Sequence, residues 1–326
     1  MPIKSNIQAV NDALHVAMGR DEDILVLGED VGKLGGVFRA TQGLQKTYGE
    51  RRVMDTPLAE AGIVGVSTAM AMYGLKPVCE IQFLGFIFPA INQLFAHSAR
   101  MRNRSRSRFT VPMVLRSPCG AGIHAPEHHS ESIEALCAHI PGLKIVMPST
   151  PHDMKGLLLA AIEDPDPVIF LEHSRIYRAV KGEVPEGYYT VPLGKADIAH
   201  PGSDVTIIAW GAMRHLAEKL AKTYAERGVS IEVVDIRSIV PLDIETILQS
   251  VTKTGRAVIV HEAPRSCGMG AEIATLIYEK ALFSLRAPIE RVTAWDITVP
   301  LPKGEHMYIP DEARVTAAVE RVLQYN

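Results

Sequence analysis

The sequence predicts an α/β protein built from two doubly wound domains, and three observations lead there. Short apolar runs alternate with amphipathic segments along the whole chain. The runs are near-continuous, the pattern of parallel strands covered on both faces. The alternation breaks once, between about Ser174 and Gly202, in a stretch rich in Gly, Pro and Tyr, as an interdomain connection would. The expected division is a first domain over 1–178, a linker over 179–201 and a second domain over 202–326.

Ser5 to Gly19 reads as a helix, with capping-box spacing between Ser5 and Gln8 and with Ile7, Val10, Leu14 and Ala17 on one face. A strand "DILVLGEDVG" ends in an acidic tip, and "TPLAEAGIVGVSTAMAMYG" opens a helix with Thr56 as N-cap and Pro57 at the first helical position. Then follow a strand "KPVCEIQF", a helix "FPAINQLFAHSARMR", a strand "VPMVLRSP", a histidine-rich loop and a helix "SIEALCAHI". The strand "LKIVMPS", the helix "PHDMKGLLLAAIED" and the strand "PVIFLEH" complete the first half. The second half repeats the alternation with strands "DVTIIAWG", "SIEVVDIRSI", "RAVIVHEA" and "IERVTAWD", and closes on the helix "DEARVTAAVERVLQYN".

Of the 326 residues, 47% are hydrophobic and 22% charged, and the formal net charge of −3 argues against a polyanion partner. The local basic run "RMRNRSRSR" carries no interleaved aromatics, so it reads as a solvated helix end or a contact with an acidic protein. Cys79, Cys119, Cys137 and Cys267 are widely spaced, which argues against a disulfide framework or zinc ribbon and suits a reducing compartment. "MPIKSNIQAV" lacks the apolar core of a signal peptide, and no run reaches the roughly 18 apolar residues of a membrane span. The expectation is a cytoplasmic protein with neither nucleic-acid nor membrane partners.

The stretch "GAGIHAPEHHSES" contains His124-Ala-Pro-Glu127-His128, which spells the H-x-x-E-H pattern of some zinc hydrolases. That pattern chelates only when a helix sets both histidines on one face. Pro126 inside it, with Gly120 and Gly122 before it, opposes that helix, so zinc is not expected. The loop leaves the carboxyl end of an expected parallel strand, where α/β sheets bind ligands. A histidine there is either a proton-transfer group or part of a solvated cluster. Glu60 likewise has two readings. It complements a helix dipole in the first turn, or, among the small apolar residues of "TPLAEAGIVG", it is a carboxyl of raised pKa able to share a proton with a ring nitrogen. Glu29 and Asp30 either solvate a turn or add a polar contact at the same sheet edge. Phe83, Phe86 and Phe88 read as core or interface residues, any one of which can serve as a stacking platform. The sequence has no phosphate-binding G-x-x-x-x-G-K-[ST], no G-x-G-x-x-G opening a helix, no nucleophile elbow and no "GDG". It reads as half of a site.

Five motifs of the first half, "LGEDVGKLGGVFRATQGL", "DTPLAEAGIVG", "EIQFLGFIFPAINQ", "HHSESIEALCAHIPGLKIVMPSTPHDMKGLL" and "DPVIFLE", occur in this order. With "VDIRSIVPLDIETILQSVTKTGRAVIVHEA" in the second half, the chain resembles, nearly end to end, the beta subunit of the thiamine-diphosphate-dependent decarboxylating component of 2-oxoacid dehydrogenase complexes. The resemblance implies a pyrimidine-binding thiamine diphosphate domain followed by a transketolase C-terminal-like domain. It also implies an α2β2 heterotetramer whose alpha subunit supplies the "GDG…N" motif for magnesium and the diphosphate. Glu60 then matches the glutamate that bonds the pyrimidine nitrogen, Leu58 lines the same pocket, Phe86 packs on the aminopyrimidine, and Glu29 adds a polar contact. His129 matches the active-site histidine, while His124 and His128 either shape the substrate entrance or are simply exposed. Some relatives hold potassium through backbone carbonyls, here matching Met113, Ala161, Ile162 and Asp164.

The implied reaction is oxidative decarboxylation of a 2-oxo acid, with the acyl group passed to lipoyl groups of an acyltransferase core. "HHSESIEALCAH" is slightly closer to branched-chain relatives than to pyruvate relatives. Two departures stand out. Pro89 and Asn92 replace acids that relay protons in some relatives, and "RNRSRSRF" is more basic than the usual run. The rival readings are a self-sufficient transketolase-like thiamine enzyme, which the missing "GDG" opposes, and a non-catalytic assembly subunit.

Overall fold

The computed structural model describes residues 1–325; Asn326, the end of the expected last helix, lies outside the described residues. Contacts divide the chain into one unit of Met1–Cys119 and Leu136–Leu193, and a second of Gly120–Ala135 and Gly194–Asn326.

In the first unit the elements are β1 (Ile3–Ser5), α1 (Asn6–Arg20), β2 (Ile24–Gly28), α2 (Leu44–Tyr48), β3 (Val53–Asp55), α3 (Glu60–Met72), β4 (Lys76–Glu80) and α4 (Met101–Arg104). They continue with β5 (Val114–Cys119), β6 (Lys144–Val146), α6 (Pro151–Glu163), β7 (Val168–His173) and β8 (Lys181–Glu183), while the short α5 (Glu134–Ala138), after the histidine loop, begins in residues of the second unit and ends in residues of the first. Strands lie side by side in the order β6-β7-β5-β4-β2-β3, every pair parallel. The doubly wound expectation is met, and β2, flanked by β3 on one side and β4 on the other, is a point where the strand order reverses. α1 packs on α6, burying Ile7, Val10 and Leu14 in one cluster with Leu157, Leu158 and Ile162. The expected capping box forms, with the Ser5 N–H donating to Gln8 Oε1 at 2.9 Å. Thr150 caps α6 by accepting the Asp153 N–H at 3.1 Å, and Pro151 takes its first position.

Three features depart from the sequence reading. The helix expected from Pro57 starts at Glu60 with Ala59 as N-cap, because the Thr56 N–H is taken by the Gly28 carbonyl at 3.0 Å, which holds the chain extended beyond β3. The helix expected over residues 88–102 is a succession of 3-10 turns, a π turn and the single α turn α4. Pro89 lies inside its first turn, and a ring without an N–H cannot sustain an i→i−4 ladder. β1 also pairs antiparallel with β8, far along the chain.

The second unit contains β9 (Asp197–His200), β10 (Val205–Ala209), α7 (Ala212–Ala225), β11 (Ile231–Asp235), β12 (Ser238–Val240), α8 (Ile244–Thr254), β13 (Ala257–Pro264), α9 (Met269–Ala281), β14 (Glu290–Ala294), α10 (Glu305–Tyr308) and α11 (Glu312–Leu323). Its sheet runs β14-β13-β10-β11-β9, parallel except for β9. Asp243 and Asp311 cap α8 and α11 by accepting backbone N–H groups at 3.2 and 2.8 Å. Residues 179–201, expected as linker, include β8 and β9. No helix among the described residues is long and apolar enough to cross a membrane.

Candidate active site

In the first unit, the loops leaving the carboxyl ends of β2, β3 and β4 carry the expected residues, at the place where doubly wound sheets bind ligands. Gly28 ends β2 where a Cβ would meet the Glu80 carbonyl at 2.7 Å, so only glycine lets the ends of β2 and β4 approach this closely. Glu29 follows it, half-buried. Its pKa is raised by burial first, then by the charges of Glu60 and Asp30. Glu60, expected far along the sequence from Glu29, is thus brought beside it. It occupies the first position of α3, is 9% exposed, and its carboxylate makes no hydrogen bond or ion pair among the described residues. The Thr56 hydroxyl is buried and also lacks a hydrogen-bond partner there. Leu58, by contrast, is 78% exposed, an apolar side chain held open in the turn before α3. After β4, Phe83 is buried and edge-on to the half-buried Phe86 at 5.7 Å between ring centroids.

These residues fit an aromatic nitrogen heterocycle: apolar side chains, and a carboxylate of low exposure that no other described residue engages. Below them the strands carry a buried ion network. Arg116 on β5 donates from Nη1 to Glu80 and from Nε to Glu172, both at 2.6 Å, and the Tyr177 hydroxyl donates to Glu172 at 2.6 Å.

The histidine loop belongs to the second unit. Residues 127–129 form a single 3-10 turn after Pro126, so His124 and His128 do not share a helical face. His124, in the left-handed region at φ 58°, has Nδ1 3.1 Å from Glu305 Oε2, and His128 Nδ1 is 3.2 Å from Glu127. His129 is half-buried, its N–H donating to the Pro126 carbonyl at 2.9 Å. Among the described residues, no three His, Cys, Asp or Glu side chains are grouped to hold a metal ion.

Three acids that the sequence did not single out hold this loop. Glu262 accepts the Ala121 N–H at 2.5 Å, and Glu305 accepts those of Gly122 and His124 at 2.6 and 3.1 Å. Glu134 accepts the Trp210 indole N–H at 3.3 Å, and burial pushes its pKa up to about 7. Glu262 lies near the carboxyl end of β13 and so was within reach of the same sheet-edge rule; "KGEHMY" gives no signal for Glu305.

Of the residues matched to potassium ligands, the Met113 carbonyl accepts the Val168 N–H at 3.0 Å and the Ala161 carbonyl that of Asp164 at 3.3 Å. The Asp164 carboxylate takes the Lys144 ammonium at 2.6 and 2.7 Å, and the Ile162 side chain is buried.

Comparison with known proteins matches residues 4–180 to the transketolase pyrimidine binding domain and residues 194–315 to the transketolase C-terminal domain. The pyruvate dehydrogenase E1 component subunit beta of Acholeplasma laidlawii is 55% identical, covering 99% of this chain and 98% of that protein. The protein of the same name from Bacillus subtilis is 49% identical over 98% of both. The 2-oxoisovalerate dehydrogenase subunit beta of Pseudomonas aeruginosa is 48% identical over 98% of this chain and 94% of its own. A solved split-gene transketolase, described as an inactive beta4 tetramer, superposes with a TM-score of 0.80 at 23% identity and 98% coverage of both chains, a likeness of fold. Full-length relatives named as subunits do not fit the self-sufficient transketolase reading. The chain belongs to the family of E1-component beta subunits of the pyruvate and branched-chain 2-oxoacid dehydrogenases.

Proposed function

We propose that this chain, paired with an alpha subunit in an α2β2 assembly in the cytoplasm, oxidatively decarboxylates a 2-oxo acid with thiamine diphosphate and passes the acyl group to a lipoyl arm of an acyltransferase core. The observation that carries the reading is Glu60, a carboxylate of low exposure that makes no hydrogen bond or ion pair among the described residues and whose charge adds to burial in raising the pKa of Glu29. When bound, thiamine diphosphate supplies the electron sink that lets carbon dioxide leave.

The chain's own residues hold the ring and manage protons. Leu58 and Phe86 give apolar contact to the aminopyrimidine. The Glu60 carboxyl shares a proton with a ring nitrogen, an exchange favoured where water is scarce. Glu29, whose pKa is raised by burial and then by the charge of Glu60, is a second polar contact. His129 donates a proton to the dithiolane sulfur that is released as the S–S bond breaks, while the other sulfur takes the acyl group. The diphosphate and its magnesium fall to the alpha subunit, since this sequence has no "GDG" motif. A potassium ion would rest on the backbone carbonyls of Met113, Ala161, Ile162 and Asp164, because the Asp164 side chain already holds Lys144. In this reading the pyrimidine-binding domain is residues 1–178, followed by a linker (179–201) and the transketolase C-terminal-like domain (202–326).

The test is to co-express the chain with its alpha subunit and assay pyruvate, 2-oxoisovalerate and 4-methyl-2-oxopentanoate. One of these is expected to turn over. Glu60→Gln in the same assembly is expected to lose at least about a hundredfold in rate with unchanged thermal unfolding; a variant within twofold of the wild type overturns the assignment.

A further inference from the structure

The loop from Gly120 to Ser132 is conformationally expensive. Gly120, Gly122 and His124 all have positive φ, at 81°, 102° and 58°, and the last is a non-glycine residue in the left-handed region. A loop of this kind persists only where its surroundings over-determine it. Its base is closed by the Gly120 N–H donating to the Glu131 carbonyl at 3.0 Å. Its first turn presents the N–H groups of Ala121, Gly122 and His124 to two carboxylates from distant parts of the same unit, Glu262 and Glu305, which are 5% and 1% exposed. Glu305 uses both oxygens, one for each N–H, and its Oε2 also faces His124 Nδ1 at 3.1 Å. Downstream, Glu134 ties the end of the loop to Trp210, which stacks on His261 at 4.9 Å and 11°.

We propose that Glu305, assisted by Glu262, is a positioning residue for His129: its buried carboxylate fixes the turn from Ala121 to His124, and thereby sets where His129 stands during acyl transfer. The inference rests on the role given to His129 above. A carboxylate is needed because two N–H donors converge on one side chain. Glutamine in its place accepts at one oxygen only and sets an amide N–H against the other donor. The role is acyl transfer rather than cofactor binding, so Glu305 separates the two half-reactions.

The experiment uses the assembly with the alpha subunit and the lipoyl acyltransferase, carrying Glu305→Gln, Gly122→Ala or His129→Ala. Gly122→Ala disturbs the same turn without touching Glu305, because an L side chain rarely adopts φ 102°. Three readouts are taken: lipoyl acylation, decarboxylation with an artificial electron acceptor, and amide hydrogen exchange of the peptide spanning the loop. Glu305→Gln and Gly122→Ala are expected to slow lipoyl acylation by about tenfold to a hundredfold, leave artificial-acceptor turnover within twofold, and speed loop exchange about tenfold or more. If His129→Ala slows acylation while both loop variants keep the wild-type rate, the inference fails alone. If His129→Ala itself has no effect, the reading beneath it fails and the inference falls with it. Loss of assembly, or equal losses in both half-reactions, assigns Glu305 a purely structural role and also overturns the proposal.

Discussion

Replacing Glu134 with glutamine should flatten the pH dependence of the second unit's stability. Glu134 is 1% exposed; Oε1 accepts the Trp210 N–H at 3.3 Å, and Oε2 is buried without a hydrogen-bond partner among the described residues. Burial, aided by the charge of Glu262, raises its pKa from an ordinary 4.5 to about 7. Neighbouring His261, driven down to about 3 by burial and by Arg291 and Arg265, stays neutral over this range. A carboxyl whose folded pKa is raised contributes stability that is complete below the unfolded pKa and is lost as pH rises through the folded one. The window therefore runs from about 4.5 to just above 7. Integrating the linkage relation across it gives a loss of about 2–3 kcal/mol between about pH 5 and about pH 8.

Glutamine keeps the oxygen facing Trp210 and has no proton to lose, so Glu134→Gln should be more stable than the wild type by about 3 kcal/mol near pH 8 and by less than about 1 kcal/mol near pH 5. Both tryptophans, Trp210 and Trp295, lie in the second unit. Urea unfolding followed by tryptophan fluorescence at several pH values thus reads that unit directly. Parallel pH profiles for the two proteins would refute the reasoning.

Arg116→Met should destabilise the first unit by about 3–5 kcal/mol in urea unfolding, because it strands the carboxylates of Glu80 and Glu172, which are 5% and 0% exposed, without a counter-charge; a loss below about 1 kcal/mol would mean the network is not buried as described. Titration of the folded chain with a thiol reagent should find Cys267 alone, since Cys79, Cys119 and Cys137 are buried and burial pushes the Cys79 thiol up to about 12; Cys267→Ser should abolish the fast reaction, and reaction persisting in that variant would contradict this.

Much of the fold was legible because its strands are buried on both faces and its helices carry their own stop and start signals. The runs in β2, β5, β7, β10 and β13 are near-continuous in apolar residues, and Ser5 sits at its cap with the expected Gln8 contact. What escaped was non-local. β3 has three residues, too few for any period, and is defined by pairing with β2. β1 has no partner until β8, far along the chain. The stretch after Phe83 has helical periodicity, but Pro89 breaks it into irregular turns. Glu60 and His129 stand in recognisable motifs, and Pro126 gave warning that no helix would set His124 and His128 on one face. Glu305 could not be read, because its contacts with Gly122 and His124 exist only once distant segments of the second unit meet.

The central claim is that this polypeptide provides the heterocycle end of a thiamine site and leaves the diphosphate end to another chain. Calorimetric titration of thiamine diphosphate with magnesium, into the purified chain and into the chain assembled with its alpha subunit, tests it directly. The account predicts no measurable binding to the chain alone and stoichiometric binding to the assembly, lost or weakened in Glu60→Gln. Tight, magnesium-dependent binding by the chain alone would contradict it.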